Sequence, residues 1–170
     1  MPDSAFVAHA RAESSSRNPA IVTAQNALSF SQLESAARRG EQHLRECGIA
    51  PGDTVAVALG QSVEAVVLMR AVWRLGACAC VIDSRWPEKE IARALNAAGC
   101  KCIIDCFTLN AEGTDTEPVQ VDPDAPATVV FTSGSTGVPK PAVHSLDNHV
   151  QSALASNANI PLQPGDRWLL

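Results

Sequence analysis

The sequence predicts a layered α/β fold, a parallel sheet flanked by helices, and three observations carry that expectation. Between residues 55 and 105 the chain alternates twice between short apolar runs and helical patterns bounded by proline and glycine, which is the mark of strand-helix-strand units. A parallel pair needs a long connection and right-handed crossovers prevail, so two consecutive units predict neighbouring parallel strands with helices packed outside. The chain also has 170 residues, 46% hydrophobic and 18% charged, enough for one domain with a substantial core.

Taken in chain order, Ser31-Gln32-Leu33-Glu34 has the spacing of a capping box. Leu33, Ala36, Ala37, Leu44 and Cys47 then recur at helical intervals before Gly48, predicting an amphipathic helix. Val55-Ala56-Val57-Ala58-Leu59 reads as a buried strand, Val63–Leu75 as a helix stopped by Gly76, and residues 78–82 as a second strand. Pro87 at a first helical position, Glu88 and Glu90 in the first turn and Gly99 past the end define the next helix, followed by a strand over 101–105. Residues 108–126 are polar, acidic and contain proline, so they read as a surface connection around a short Val119-Gln120-Val121 strand. A strand over 127–132 follows, and Arg167-Trp168-Leu169-Leu170 reads as the start of another buried strand.

The chemistry concentrates in Phe131-Thr132-Ser133-Gly134-Ser135-Thr136-Gly137-Val138-Pro139-Lys140. Gly134 and Gly137 reach backbone angles closed to other residues, which lets successive N–H groups converge on an anion. Thr132, Ser133, Ser135 and Thr136 add hydroxyl donors, and Lys140 adds a point charge for a phosphate oxygen. The same composition occurs in mobile linkers, but a buried-strand pattern leads directly into this run. A Walker A loop needs Gly before its Lys and Ser or Thr after it; here both neighbours are proline, Pro139 and Pro141. A dinucleotide-binding fingerprint is equally absent, since the turn after Leu59 carries only Gly60. In open α/β sheets ligands lie beyond the carboxyl ends of strands, and the hydroxyl-rich run starts at such an end.

Charge and composition exclude other classes. A net charge of −5 with scattered Lys and Arg gives no footprint for nucleic acid. Residues 1–10 lack a basic segment followed by an apolar run, so no secretory signal is read there. No apolar stretch is long enough to span a bilayer, and a cytoplasmic protein is expected. Six cysteines, Cys47, Cys78, Cys80, Cys100, Cys102 and Cys106, raise a metal reading, but Cys-X-X-Cys spacing is missing. Strand alternation puts Cys78 with Cys80 on one face and Cys100 with Cys102 on one face, where they serve as small buried hydrophobes. No metal ligands are assigned, and a cytoplasmic setting disfavours disulfides.

The hydroxyl- and glycine-rich run resembles the phosphate-binding signature of the adenylate-forming superfamily, which comprises acyl-CoA synthetases, luciferases and peptide-synthetase adenylation domains. The resemblance implies that Thr132, Ser133, Gly134, Ser135, Thr136, Gly137 and Lys140 hold the ATP phosphates, with Lys140 acting in catalysis. One position departs from the family pattern, since Pro141 stands where Gly usually follows the lysine. Ala27-Leu28-Ser29-Phe30-Ser31-Gln32-Leu33 resembles the family's early "Thr-Tyr-x-x-Leu" region, and the 73–83 stretch its helix-Gly-Ala-strand passage, so the resemblance covers nearly the whole chain. It implies that residues 1–170 are the N-terminal part of the AMP-binding large domain, without its C-terminal domain and inactive alone.

Asn148-His149, Ser152-Ala153, Ser156 and Asn159 are similar to the corresponding run of o-succinylbenzoate CoA ligases of menaquinone biosynthesis. An alternative reading is that Ser152, Ala153 and Ser156 are small residues packing closely on the sheet. His149 receives no role, and His144, just before an N-cap at Ser145 or Asp147, is read as structural. The resemblance implies an acid-thiol ligase: a small-molecule carboxylate attacks the α-phosphorus of ATP, with magnesium, and the acyl-adenylate passes to coenzyme A. Other adenylate-forming enzymes and a nucleotide-binding module without chemistry remain open alternatives.

Overall fold

Residues 18–24, 27–108, 122–132, 140–161 and 166 are described by the structure, a computed structural model. The 119–121 strand and the 167–170 strand start lie outside the described residues. Two short antiparallel strands, β1 (Pro19–Val22) and β2 (Ala27–Ser29), lead into helix α1 (Phe30–Glu46). The capping box forms two residues earlier than Ser31 implies. Ser29 Oγ accepts from the Gln32 N–H at 3.2 Å, and Gln32 Oε1 accepts from the Ser29 N–H at 2.8 Å. That choice leaves Glu34 free to turn inward, where it meets Arg70 and Arg74.

Strand β3 (Thr54–Val57), helix α2 (Val63–Leu75) and strand β4 (Cys78–Val81) form the first crossover unit. Ser62 caps α2 by accepting from the Ala65 N–H at 3.1 Å. Gly76, at φ 77°, stops the helix in the left-handed region that side chains avoid. Helix α3 (Glu88–Ala97) and strand β5 (Cys100–Ile104) complete the second unit, followed by strand β6 (Pro126–Thr132), strand β7 (Lys140–Ser145) and helix α4 (Leu146–Asn159). Strand β7 is not among the expected elements.

The five-stranded sheet runs β5-β3-β4-β6-β7, parallel except for the antiparallel β6–β7 pair. Only the first crossover joins neighbours. The second returns past β3, so right-handed crossovers place α2 and α3 on opposite faces. The packing agrees: Val55, Val57 and Ala79 pack with Leu44 of α1 and Leu68, Val72 and Leu75 of α2. Ala56, Cys78, Cys80 and Val129 pack with Ala94 of α3, and Ile91 and Leu95 lie against them.

A paired set of charges is buried where α1 meets α2. Glu41 is fully buried, with Arg45 at 2.9 Å and Arg74 at 3.3 Å. Glu34 pairs with Arg74 and with Arg70 at 2.9 Å.

Strand β5 corrects the expectation that Cys100 and Cys102 share a face. Thr54 is opposite Cys100 but Val55 is opposite Cys102, so Lys101 is an extra residue that flips the alternation. Cys100 packs on the α3 side and Cys102 on the α1–α2 side. Lys101 reaches Gly48 O at 2.9 Å and Asp53 Oδ2 at 2.6 Å, which ties the bulge to the turn before β3. All six cysteines are free thiols, with Cys78 and Cys80 buried and Cys47 and Cys106 exposed. Burial pushes the Cys78 thiol up to about 11. A hydrogen bond with Cys100, then burial, pushes that of Cys80 higher still. These thiols stay protonated at neutral pH and behave as hydrophobes.

Helix α4 has no buried residue, and Ser152, Ala153, Ser156 and Asn159 are all exposed. Among the described residues they pack on nothing, unlike the small-residue reading, while the first turn and a half of α4 is partly covered. Ser145 is its N-cap, accepting from the Asn148 N–H at 3.2 Å. His149 Nε2 lies 3.0 Å from the buried Thr128 Oγ1, and its ring lies 5.4 Å from that of Trp73 and 5.7 Å from that of His144. Trp73 Nε1 donates to Ala127 O at 2.9 Å. Among the described residues no helix is long and apolar enough to cross a membrane.

Candidate functional site

Strands β3, β4 and β6 run parallel, so their carboxyl ends share one edge of the sheet. The hydroxyl-rich run leaves from that edge. Thr132 is the last residue of β6 and Lys140 the first of β7, and the two are direct cross-strand partners. Both are exposed, and Thr132 Oγ1 reaches Lys140 O at 3.5 Å. The predicted contacts Ser133, Gly134, Ser135, Thr136 and Gly137 lie outside the described residues. What the fold supplies is their anchorage, with both ends of the connection held side by side by an antiparallel ladder.

Pro141 belongs to that ladder, opposite Phe131. Among the described strands β7 is the last in the order, an edge position where a missing N–H is tolerated. The departure from the family pattern therefore falls inside a strand, one residue past the lysine.

The turn after β4 reaches the same edge. The β4–β6 register pairs Ala79 with Thr128 and Cys80 with Val129, so its continuation runs toward Phe131. Trp86 meets the Phe131 ring edge-on, with centroids 5.8 Å apart and planes at 71°. Asp83 is forked by Arg85, with Nε 2.9 Å from Oδ1 and Nη2 2.7 Å from Oδ2, and also accepts the Arg85 N–H at 2.9 Å. The side-chain bonds from Arg85 hold the Asp83 carboxyl down at about 2. Sequence reasoning passed over this turn; the aromatic directly before Pro87 was its one local sign.

His144 and His149 sit at the other edge. Thr128, the partner of both, is four residues before Thr132, which is about 13 Å along a strand. Both histidines therefore lie toward the amino end of β6, away from Thr132. Burial, then the neighbouring His144, lowers the His149 pKa from its usual 6.5. Among the described residues no group of three or more His, Cys, Asp or Glu is placed to hold a metal.

The AMP-binding enzyme family model matches residues 8–118 and 105–170. A nonribosomal peptide synthetase of Aspergillus fumigatus, fmqA, is 34% identical over 96% of this chain, which spans 5% of that protein. A 2-succinylbenzoate–CoA ligase of Bacillus licheniformis is 28% identical over 94% of this chain, which spans 38% of its length. Among solved structures, the o-succinylbenzoate coenzyme A synthetase of Bacillus subtilis in complex with ATP and magnesium ion superposes with a TM-score of 0.76 at 27% identity, covering 85% of this chain and 44% of that one. A match to the family model over both halves of the sequence, on the layered sheet described above, means that the chain belongs to the AMP-binding enzyme family.

Proposed function

We propose that this chain carries the phosphate-binding part of an ATP-dependent carboxylate–CoA ligase, with o-succinylbenzoate as the acid. The observation that carries the reading is the anchorage of the hydroxyl-rich run at the carboxyl edge, with Thr132 and Lys140 paired across its base. The similarity to the Bacillus licheniformis ligase and to the synthetase solved with ATP and magnesium supports the choice of reaction.

In this reading the carboxylate oxygen attacks the α-phosphorus of ATP, the bond to the bridging oxygen breaks, and pyrophosphate departs with the charge. Thr132, Ser133, Gly134, Ser135, Thr136, Gly137 and Lys140 stabilise that charge through hydroxyls, backbone N–H groups and the ammonium. The thiol of coenzyme A then displaces AMP from the acyl-adenylate. Magnesium would screen the phosphates. The described residues offer no cluster of three or more His, Cys, Asp or Glu for it.

A second reading is favoured by the 34% identity to the Aspergillus fumigatus synthetase: an adenylation domain whose acid is an amino acid and whose acceptor is a carrier thiol. Both share the first half-reaction. Pyrophosphate exchange by the whole protein, scanned across o-succinylbenzoate and the amino acids, separates them. Exchange driven by o-succinylbenzoate supports the ligase, exchange driven by an amino acid supports the second reading, and exchange with no acid refutes both.

A further inference from the structure

The geometry points to Trp86 as a positioning residue for the phosphate-binding run, a brace on the strand ends, at Thr132 and Lys140, between which the run is tethered. The inference rests on the adenylation reading for its consequence and on the packing for its substance.

Three features combine. Trp86 stands edge-on to Phe131, the residue directly before Thr132, from the α3 face of the sheet. Phe131 is in turn the cross-strand partner of Pro141, the residue directly after Lys140. The indole therefore bears directly on the first root of the run and, through the Phe131–Pro141 pairing, is linked to the second. The edge-to-face arrangement is directional, favouring one ring angle over others, so it constrains orientation as well as distance.

The brace is itself held firmly. The Trp86 backbone N–H donates to Asp83 O at 3.0 Å, closing the turn. The Asp83 side chain is forked by Arg85, and Pro87 O receives the N–H groups of Glu90 at 2.8 Å and Ile91 at 3.1 Å, which locks the start of α3 one residue later. Trp86 thus sits between a clamped turn and a helix start. Phe131, which it meets, lies on β6, and β6 pairs with β7, the last strand in the order among the described residues. A phosphate clamp works by donors fixed before charge develops, so support at Phe131, beside the Thr132–Lys140 pair, bears on where Lys140 stands.

The test uses Trp86→Ala and Trp86→Phe in the whole protein. With the acid that supports exchange, Trp86→Ala should raise KM for ATP at least fivefold while KM for the carboxylate changes less than twofold, and Trp86→Phe should restore both to within twofold of the parent. A merely structural role would move both constants together or neither. A second readout does not depend on turnover: hydrogen exchange at Phe131, Thr132 and Lys140 should quicken about tenfold in Trp86→Ala, with the β3 amides unchanged. If the parent protein shows no exchange of pyrophosphate, the adenylation reading fails and hydrogen exchange alone judges the brace. Unchanged exchange at both roots, or equal kinetic loss in the Ala and Phe variants, would overturn it.

Discussion

At Gly40 α1 comes close against α2, and replacing it tests the packing that carries the sheet's first layer. A Cβ built there stands 2.8 Å from Ala71 Cβ and 3.1 Å from Phe107 Cζ, inside the ordinary carbon contact of about 3.5–4.0 Å. Phe107 presents the far end of a side chain. Ala71 Cβ is fixed to α2, among the fully buried Val67, Leu68, Val72 and Leu75, so the helices must part. Gly40→Ala gains about 1 kcal/mol in helix propensity and costs about 2 kcal/mol in overpacking, a net loss of about 1 kcal/mol. Ala71→Gly alone loses about 1 kcal/mol of propensity and about 0.8 kcal/mol for its methyl. In the double variant the new methyl occupies the space of the old one and the propensities offset each other, so the net change is about 0–1 kcal/mol instead of the additive loss of about 3 kcal/mol. Urea unfolding of the parent, both single variants and the double variant measures the coupling. A stabilised Gly40→Ala, or single effects that add to within about 0.5 kcal/mol, would refute the contact.

Other consequences follow from the same framework. Glu41→Ala leaves the guanidinium groups of Arg45 and Arg74 facing an empty buried site and should lose about 3 kcal/mol by urea unfolding; a loss under 1 kcal/mol would contradict the buried pairing. Trp73→Phe removes the hydrogen bond to Ala127 O and should cost about 1 kcal/mol, read by the same method. His149 has a folded pKa below its usual 6.5, so the unfolded chain binds the extra proton. Its contribution to stability is complete above pH 6.5 and is lost as pH falls toward the folded pKa. Thermal midpoints between pH 5 and 8 should therefore fall more steeply toward acid in the parent than in His149→Gln, and parallel profiles would contradict the lowered pKa of this half-buried imidazole.

The elements that could be read from sequence are those whose signals are local. Gly76 stops α2 as expected, and the apolar runs of β3, β4 and β6 lie where their composition puts them. What escaped was set by pairing across distance. Lys140-Pro-Ala-Val-His-Ser has no strand period of its own and becomes β7 because β6 lies beside it. The order β5-β3-β4-β6-β7 follows from which strands meet, and no local pattern records it. The bulge at Lys101 turned one cysteine to the opposite face, an effect that period-two reasoning cannot anticipate. At the candidate site, residue types revealed the phosphate chemistry, while the Trp86 support and the pairing of Thr132 with Lys140 came from the folded sheet.

The central claim is that the run from Thr132 to Lys140 clamps the ATP phosphates during acyl-adenylate formation. The most direct measurement takes Lys140→Ala in the whole protein and follows the two half-reactions separately, pyrophosphate exchange for adenylation and thiol acylation from preformed acyl-adenylate. The account predicts that kcat/KM for ATP in exchange falls about 100-fold, the scale of losing one charge-stabilising contact, while thiol transfer stays within about threefold of the parent. Equal loss in both half-reactions would contradict it.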